Sequence, residues 1–304
     1  MAPLPLAILA GVIGGGLFAT LMGGVPGGPL LAYFAPLPLI LAGLTLGTGA
    51  AAVAGTTATV VVGLVAGGLA LAIFLLSLGA PSVFVVRQAL LRREVAGVAE
   101  WFPPGRILAQ LAAYGSGALV VAALSATDHP EGLRGTIDAS LAALGAELGA
   151  IAPARESMID TLRGWAGLLP ALTVVSWMLM LVLNTVLAQT IAGRQGRALR
   201  PSPALADLTV PRWCLGPVIA GAALSLLDQG TLSLLGQSLL IVFLVPFFFA
   251  GLAVVHLALG RRANRGALLA AFYLGLALFA WPLALAVVGL GLIDAWADLR
   301  RRLR

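Results

Sequence analysis

The sequence predicts an all-α, polytopic transmembrane helical bundle of about 8–10 spans, and its charge pattern is the main reason. No Arg, Lys, Asp or Glu occurs in residues 1–86, and one ionised group near the bilayer centre costs about 2.5–3.5 kcal/mol on insertion scales. The whole chain is 60% hydrophobic and 10% charged, whereas a soluble domain carries about 25% charged residues. We therefore expect residues 1–304 to form a single integral membrane domain.

The first 86 residues are long enough for four spans of about 20 residues each. Glycines and prolines cluster at residues 23–29, and Gly67-Gly68 forms a second break. These breaks divide the tract into predicted spans at 4–22, 28–46, 48–66 and 68–86. An even number of spans is what a cytoplasmic N-terminus requires.

Arginines set the predicted topology, because short loops rich in Arg and Lys stay in the cytoplasm. The segments with a net positive charge are 87–106, 191–213, 260–266 and the tail from Asp294. We therefore predict cytoplasmic loops at 87–106 and 191–213, and we place both termini in the cytoplasm. Segment 127–163 is net negative, so we predict an extracytoplasmic, amphipathic segment there, with a helix over 132–151.

The C-terminal half carries the remaining predicted spans. Residues 107–126 and 165–190 each suit one crossing, and residues 213–260 suit two helices of about 20 residues. Residues 266–294 are too many for one straight span, so Trp281-Pro282 is predicted to turn a hairpin of two short helices. The total is ten spans, with eight as the alternative.

The chain lacks the residue patterns of familiar catalytic sites. Its 18 basic residues are all arginine, which excludes Schiff-base chemistry and a phosphate-loop lysine. Cys214 is the only cysteine, which excludes an intrachain disulfide and a metal site built from cysteines. We expect no enzyme activity, no metal site and no cofactor. The arginines lie in juxtamembrane clusters rather than on one soluble face, so we expect no nucleic-acid binding either.

Asp228 is the most informative polar residue between the apolar tracts. A helix that starts at Trp213 rises only about 22 Å by Asp228, short of the hydrocarbon core of about 30 Å. Residues 228–231, continuing to 236–238, are predicted to form a broken or re-entrant connection. Asp228 and Gln237 would then bind a polar or cationic substrate. The alternative is a turn cap at the outer interface.

A second candidate substrate site lies at Tyr33-Phe34-Ala35-Pro36-Leu37-Pro38. Pro36 and Pro38 have no backbone N–H, so the carbonyls four residues before them, those of Ala32 and Phe34, are predicted to lose their usual helical partners. Unwound helices recur at substrate sites in transporters, and Tyr33 with Phe34 would wall a small planar ligand. The alternative is a proline kink without a ligand.

Two surfaces are candidates for contact with a partner or with lipid. Ala7, Gly11 and Gly15 repeat every four residues and form a small-residue face, which either packs internally or docks a partner helix. The second surface is segment 87–106, predicted as an interfacial helix on anionic lipid or as a coupling surface. Its arginines are Arg87, Arg92, Arg93 and Arg106.

Two amides lie in the predicted span 165–190. Asn184 and Gln189 are expected to hydrogen-bond across to another helix. We interpret them mainly as contacts that hold helices together, with a functional role as the alternative.

Several of these stretches resemble a family of uncharacterised bacterial integral membrane proteins, the YybS-like family. The resembling stretches are 33–39, 81–93, 101–106, 184–189, 237–256 and 291–302. That family is distantly similar to the substrate-binding S components of energy-coupling-factor transporters. The resemblance implies a helical membrane subunit that works with a transmembrane coupling subunit and cytoplasmic ATPases, and the face of Ala7, Gly11 and Gly15 would dock the coupling subunit.

The functional expectation is therefore a multi-pass protein of the bacterial inner membrane, surrounded by the lipid bilayer. The leading hypothesis is a small-molecule binding or transport subunit that resembles an S component and lacks its own ATPase. The alternative is a non-transporting membrane scaffold or assembly protein that recruits a partner or lipid through segments 87–106 and 191–213.

Overall fold

The computed structural model describes residues 3–24, 26–127, 132–151, 161–227, 230–260 and 262–303. Within these ranges the chain is helical apart from one β-hairpin and short connections. The elements are α1 (Pro3–Met22), α2 (Gly28–Tyr33), α3 (Pro36–Leu46), α4 (Thr48–Phe74), a π-helical turn (Leu75–Gly79), α5 (Ala80–Leu90), β1 (Arg92–Val95), β2 (Val98–Trp101), α6 (Pro104–Ser125), α7 (Gly132–Ile151), α8 (Leu169–Arg194), α9 (Leu215–Ser225), α10 (Thr231–Gly260), α11 (Arg265–Leu278), α12 (Ala280–Ala297) and α13 (Leu299–Leu303).

Seven helical segments in the described ranges are long and apolar enough to cross a membrane. One of them is the 43-residue segment Thr48–Leu90, which is interrupted at Gly67. Dividing this segment at Gly67 gives eight, the lower end of the predicted range. The prediction of an all-α, polytopic membrane protein is confirmed.

The chain divides into two compact units. The first comprises Met1–Ile107 and Leu179–Ala204, and the second comprises Leu108–Met178 and Leu205–Arg304. The prediction of one integral membrane domain stays a prediction.

In the first unit, α1 packs closely against α4 through small residues. A Cβ on Gly11 would lie 2.5 Å from the carbonyl oxygen of Ala54, and a Cβ on Gly15 would lie 2.8 Å from that of Ala58. Ala7, one turn earlier, is 1% exposed. The face predicted to dock a partner is therefore occupied within the chain, and a partner helix would reach its glycines only by displacing α4.

Helix α4 turns back on itself at Gly67, as the sequence predicted for Gly67-Gly68. Gly67 has a φ of 85°, a conformation that glycine adopts without steric cost. The chain before and after the turn runs side by side. A Cβ on Gly63 would lie 2.6 Å from the side chain of Leu71, and one on Gly55 would lie 3.0 Å from that of Val83.

Residues 92–101 form a β-hairpin, so the prediction of an interfacial helix here was wrong. The hairpin pairs Val95 with Val98 across a two-residue turn. Both turn residues have positive φ, 50° at Ala96 and 78° at Gly97, as a type I′ turn requires. The usual Asn-Gly or Asp-Gly signal is absent from this turn, which is why the charges and aromatic residues were attributed to a helix.

In the second unit, segment 213–260 holds two helices, as predicted, but of very unequal length. Helix α9 has 11 residues and α10 has 30, instead of about 20 each. The two helices touch backbone to backbone, because a Cβ on Gly221 would lie 2.6 Å from the backbone nitrogen of Leu240. Residues 236–238 are helical, so the predicted irregular connection does not extend to them. Gly236 instead makes a close contact with Leu224.

The second half of α10 packs on α12 through another pair of glycines. Gly251 touches the carbonyl of Val287, and Gly291 touches the carbonyl of Phe247, in both cases too closely for any Cβ. Pro246 lies at the junction of the two halves of α10. Helix α10 therefore has α9 as its partner along the first half and α12 along the second.

The hairpin predicted at Trp281-Pro282 is a bend two residues earlier, at Phe279. Helix α11 ends at Leu278 and α12 begins at Ala280, and Phe279 between them has φ −110° and ψ 37°. Helix α11 has 14 residues, fewer than the roughly 20 that a straight crossing needs. Two helices are present, as predicted, but only α12 reaches membrane-spanning length.

Helix α7 matches the amphipathic helix predicted for the acidic segment. Leu133 near its start is buried in a cluster with Ala123, Ala126 and Leu234. Ile137, one turn later, packs against the same cluster. The three- and four-residue spacing of apolar side chains therefore does produce a packed face.

Candidate functional site

The break between α2 and α3 lies inside an apolar segment of membrane-spanning length, Gly28–Leu46. Helix α2 ends at Tyr33 and α3 begins at Pro36. The carbonyls of Ala32 and Phe34, predicted to lack partners, accept hydrogen bonds of 3.0 Å from Ala35 N and Leu37 N. The usual helical partners are lost, as predicted, but these carbonyls are not free to line a site, because the chain tightens into i→i+3 turns and so replaces the bonds that the prolines cannot make.

The carbonyl of Tyr33 is instead bound by a side chain from α8. Asn184 Nδ2 donates to Tyr33 O over 2.9 Å and to Met180 O, one turn back in its own helix, over 2.8 Å. These two carbonyl acceptors fix which end of the amide is nitrogen. The prediction that Asn184 bonds across to another helix is confirmed.

One polar atom of the Asn184 side chain, the amide oxygen, takes no part in these bonds. Its side chain is 0% exposed, and Asn184 Oδ1 has no hydrogen-bond partner among the described residues. A buried acceptor that lacks a donor costs about 1–3 kcal/mol. The amide therefore presents an unused acceptor beside the break between α2 and α3.

The predicted substrate residues fall into two groups. Tyr33, Phe34, Pro36 and Pro38 lie together in the first unit, where the two aromatic rings meet edge to face with centroids 6.2 Å apart. Gln237 belongs to the second unit and is half-buried, and Asp228 lies outside the described residues. The grouping of all six residues in one site stays a prediction.

The second amide, Gln189, holds a loop rather than a helix. Gln189 Nε2 donates to Arg200 O over 2.8 Å and lies 3.3 Å from Ser202 Oγ. The loop is also tied to α3, because Leu199 N donates to Leu44 O over 3.0 Å. These bonds fix the backbone around Arg200.

The side chain of Arg200 is buried at the end of α5. It is 6% exposed, and its Nη1 donates to the carbonyl of Ala89 over 3.0 Å. Its guanidinium lies 5.8 Å from the centroid of the Trp101 ring, and Nε has no partner in the described part of the chain. Burial lowers the pKa of Arg200, because desolvation penalises the charged form. Nothing in the sequence distinguishes Arg200 from the exposed Arg197 three residues earlier.

The hairpin and the start of α6 enclose a cleft of about 230 Å³, which we call the hairpin cleft. Its lining residues are Leu91, Arg92, Arg93, Glu100, Trp101, Phe102, Pro103 and Arg106. Three of the four arginines predicted to contact a partner or lipid thus lie together. The fourth, Arg87, is exposed on α5.

The pairing register gives the two arginines of strand β1 different partners. Arg93 faces Glu100 across the strands, and its Nε lies 2.6 Å from Glu100 Oε2. Arg92 faces Trp101 and lies 5.8 Å from its ring centroid. The hydrogen bond and charge of Arg93 and, more weakly, the charge of Arg106 lower the pKa of Glu100.

Arg106 completes the cleft from the first turn of α6. Its guanidinium lies 5.9 Å from the centroid of the Phe102 ring. Among the described residues, neither Arg106 nor Arg92 has a carboxylate within ion-pair distance. Three arginines therefore share one carboxylate in the lining, which leaves the cleft with a net positive charge.

A second arginine with several bonds within the chain, the half-buried Arg300, lies in the C-terminal tail, and charge patterning did not predict its role. Arg300 Nε donates to Asp294 Oδ2 over 2.7 Å, and its Nη1 donates to the carbonyls of Ala206 and Leu208. Asp294 is 3% exposed. The two bonds to these carbonyls fasten the tail to the connection before α9, and the ion pair holds Arg300 against the end of α12.

Comparison with known proteins shows a family and no function. Residues 17–295 match the family described as "Predicted membrane protein (DUF2232)", and the chain belongs to that family. No curated protein and no solved structure matches it. The apolar helices and this membership together establish a multi-pass membrane protein.

Proposed function

We propose that this member of the DUF2232 family is a membrane subunit that binds a small molecule and takes part in its transport. The observation that carries the proposal is the polar break between α2 and α3 beside Asn184. Interrupted helices within the membrane recur at transporter substrate sites, and a buried polar group that lacks its partner is costly unless a ligand supplies one.

The unused acceptor suggests which chemical class of ligand the site takes. Asn184 Oδ1 can accept a hydrogen bond and cannot donate one. A matching ligand therefore presents an N–H or O–H group, next to a planar or apolar part that contacts Tyr33 and Phe34. Asp228 and Gln237, predicted to bind a polar or cationic group, remain part of this proposal.

The proposed subunit has no ATPase of its own and is not an enzyme. By its resemblance to S components, it would work with a transmembrane coupling subunit and cytoplasmic ATPases in the bacterial inner membrane. The face of Ala7, Gly11 and Gly15 is left out of the proposed docking surface, because α4 already covers its glycines.

The test compares small molecules that copurify with the wild type and with an Asn184→Leu variant. Mass spectrometry of extracts from nanodisc preparations should find a metabolite in stoichiometric amount with the wild type and at least about tenfold less with the variant, as expected for loss of a buried hydrogen bond. Thr185→Val is the matched control, because the Thr185 hydroxyl donates to the carbonyl of Leu181 in its own helix. Asp228→Asn should also reduce recovery while yield stays normal.

The result that would overturn the proposal is specific. If no metabolite accompanies the wild type, or if Asn184→Leu retains it fully, the break between α2 and α3 is only a structural kink. A lower melting temperature without any change in bound metabolite would likewise assign Asn184 a packing role.

A scaffold is the second candidate function, because segments 87–106 and 191–213 meet in the structure. Arg200 from the second segment lies over Trp101 and bonds the end of α5, so both segments contribute to one surface. Reversing the charges of Arg92 and Arg93 should then abolish recovery of a stable protein partner while metabolite recovery is unchanged. Unchanged partner recovery would exclude this scaffold function.

A further inference from the structure

The hairpin cleft lies at the level where two membrane-length helices end. The segment Thr48–Leu90 ends immediately before the hairpin, and the segment Pro104–Ser125 begins immediately after it. The hydrogen bond from Phe102 N to Leu91 O, 2.9 Å, closes the base of the hairpin between these helix ends. Because both helices are candidate membrane spans, we expect the cleft to lie near the boundary between water and hydrocarbon, where the phosphates of lipid headgroups lie.

Three arginines and one glutamate line the hairpin cleft, and this net positive charge favours an anion. Glu100 neutralises Arg93 directly, whereas Arg92 and Arg106 are held at aromatic rings. An arginine stacked on a ring keeps its planar donors free to bind an oxyanion, and guanidinium donors match phosphate oxygens in pairs. The guanidinium groups of Arg92 and Arg106 therefore provide donors that suit the oxygens of a phosphate group.

The buried charge of Arg200, which lies beside a lining residue of the cleft, is a second observation. Arg200 and Arg92 each lie 5.8 Å from the Trp101 ring centroid. Arg200 is only 6% exposed, and its Nε has no hydrogen-bond partner in the described ranges. Burial of a charge without a counter-charge is expensive, and an anion in the adjoining cleft would offset part of that cost.

We propose that the hairpin cleft binds the phosphate of an anionic phospholipid headgroup, with Arg92 and Arg106 as the contacting residues and Arg200 as the supporting buried charge. Lipid is favoured over a soluble phosphate because apolar side chains border the cleft. Leu91 in its lining is 41% exposed, and such a side chain suits the glycerol and upper acyl region of a lipid. This inference is independent of the small-molecule site at α2–α3.

The test measures lipid retention by the full-length protein. Purified protein is placed in nanodiscs of phosphatidylcholine doped with phosphatidylglycerol, transferred to mild detergent, and weighed by native mass spectrometry. We expect the wild type to retain phosphatidylglycerol selectively. The Arg92→Gln/Arg106→Gln variant should retain at least about tenfold less of this lipid, because each basic residue at an anionic surface contributes to binding. The matched control is Arg262→Gln/Arg265→Gln, which removes two exposed arginines elsewhere and should leave retention unchanged.

Two further measurements keep the proposal falsifiable. If the double Gln variant fails to fold, Arg92→Lys/Arg106→Lys retains the charge but removes the paired donors, and it should still lower selectivity for phosphatidylglycerol. Inorganic phosphate and glycerol 3-phosphate added to lipid-stripped protein test the soluble source. Binding of these without lipid retention, equal loss in the control, or occupation of the cleft by a protein partner would each overturn the proposal.

Discussion

Arg200 is buried and Arg300 is half-buried; both come from basic segments, yet their surroundings differ completely. Arg300 meets a buried carboxylate, Asp294, and two backbone carbonyls. Arg200 meets one carbonyl and the face of Trp101, without a carboxylate in the described part of the chain. The first arrangement contains its own counter-charge, whereas the second, on our proposal, receives one from a lipid phosphate. The two arginines contribute equally to the net charge of the chain, but only Arg300 has a carboxylate partner among the described residues.

The largest expected effect is at the completed pair. Asp294→Asn leaves the half-buried Arg300 without its counter-charge. Removing one partner of a fully buried ion pair costs about 3–5 kcal/mol, and we expect a loss toward the lower end of this range because Arg300 is only half-buried. Unfolding of the purified protein in detergent should measure this loss. Asp298→Asn, one turn later at an exposed position, is the control and should be close to neutral. A similar stability for both variants would show that the ion pair contributes little.

A much smaller effect is expected at the incomplete site. Arg200→Met removes a buried charge that no carboxylate compensates, so we expect a change within about 1 kcal/mol in zwitterionic detergent, of either sign. Arg300→Met should be clearly worse under the same conditions, because it strands Asp294. The contrast would fail if Arg200→Met proved as damaging as Arg300→Met without anionic lipid. Added phosphatidylglycerol should raise the stability of the Arg200→Met variant by less than it raises the stability of the wild type.

The smallest effect concerns the exposed pair of Arg93 and Glu100. Because the pKa of Glu100 is lowered in the folded hairpin, the pair contributes above the unfolded pKa of a glutamate, and its contribution is lost as pH falls through the lowered value. Amide exchange in the hairpin, corrected for its intrinsic pH dependence, should show slightly weaker protection in acid. Glu100→Gln should remove that pH dependence. An identical profile in this variant would mean that the pair does not stabilise the hairpin.

Much of the fold followed from hydropathy and charge alone. Uncharged tracts predicted the helices in residues 1–86, and Gly67-Gly68 correctly marked a turn that only positive φ makes possible. Helix lengths in the second unit were not predictable in this way. Gly221, Gly236, Gly251 and Gly291 determine where helices approach backbone to backbone, and a hydropathy profile records these glycines only as weakly apolar residues.

The candidate sites were predictable only in part. Prolines and aromatics pointed to the break at Tyr33–Pro36, and Asn184 was expected to bond another helix. Its acceptor, the Tyr33 carbonyl, depends on tertiary packing between segments 151 residues apart. The buried state of Arg200 depends equally on a fold-specific contact with Trp101, so charge patterning could not separate it from its exposed neighbours.

The brevity of α9 has a consequence for how the protein enters the membrane. Its 11 residues rise only about 16 Å, roughly half of the hydrocarbon core, so α9 alone is a poor signal for insertion. Its close contact with α10 at Gly221 and Gly236 offers the missing apolar partner. We expect the two helices to leave the translocon together as a preformed pair, so that α10 serves as the insertion signal for both.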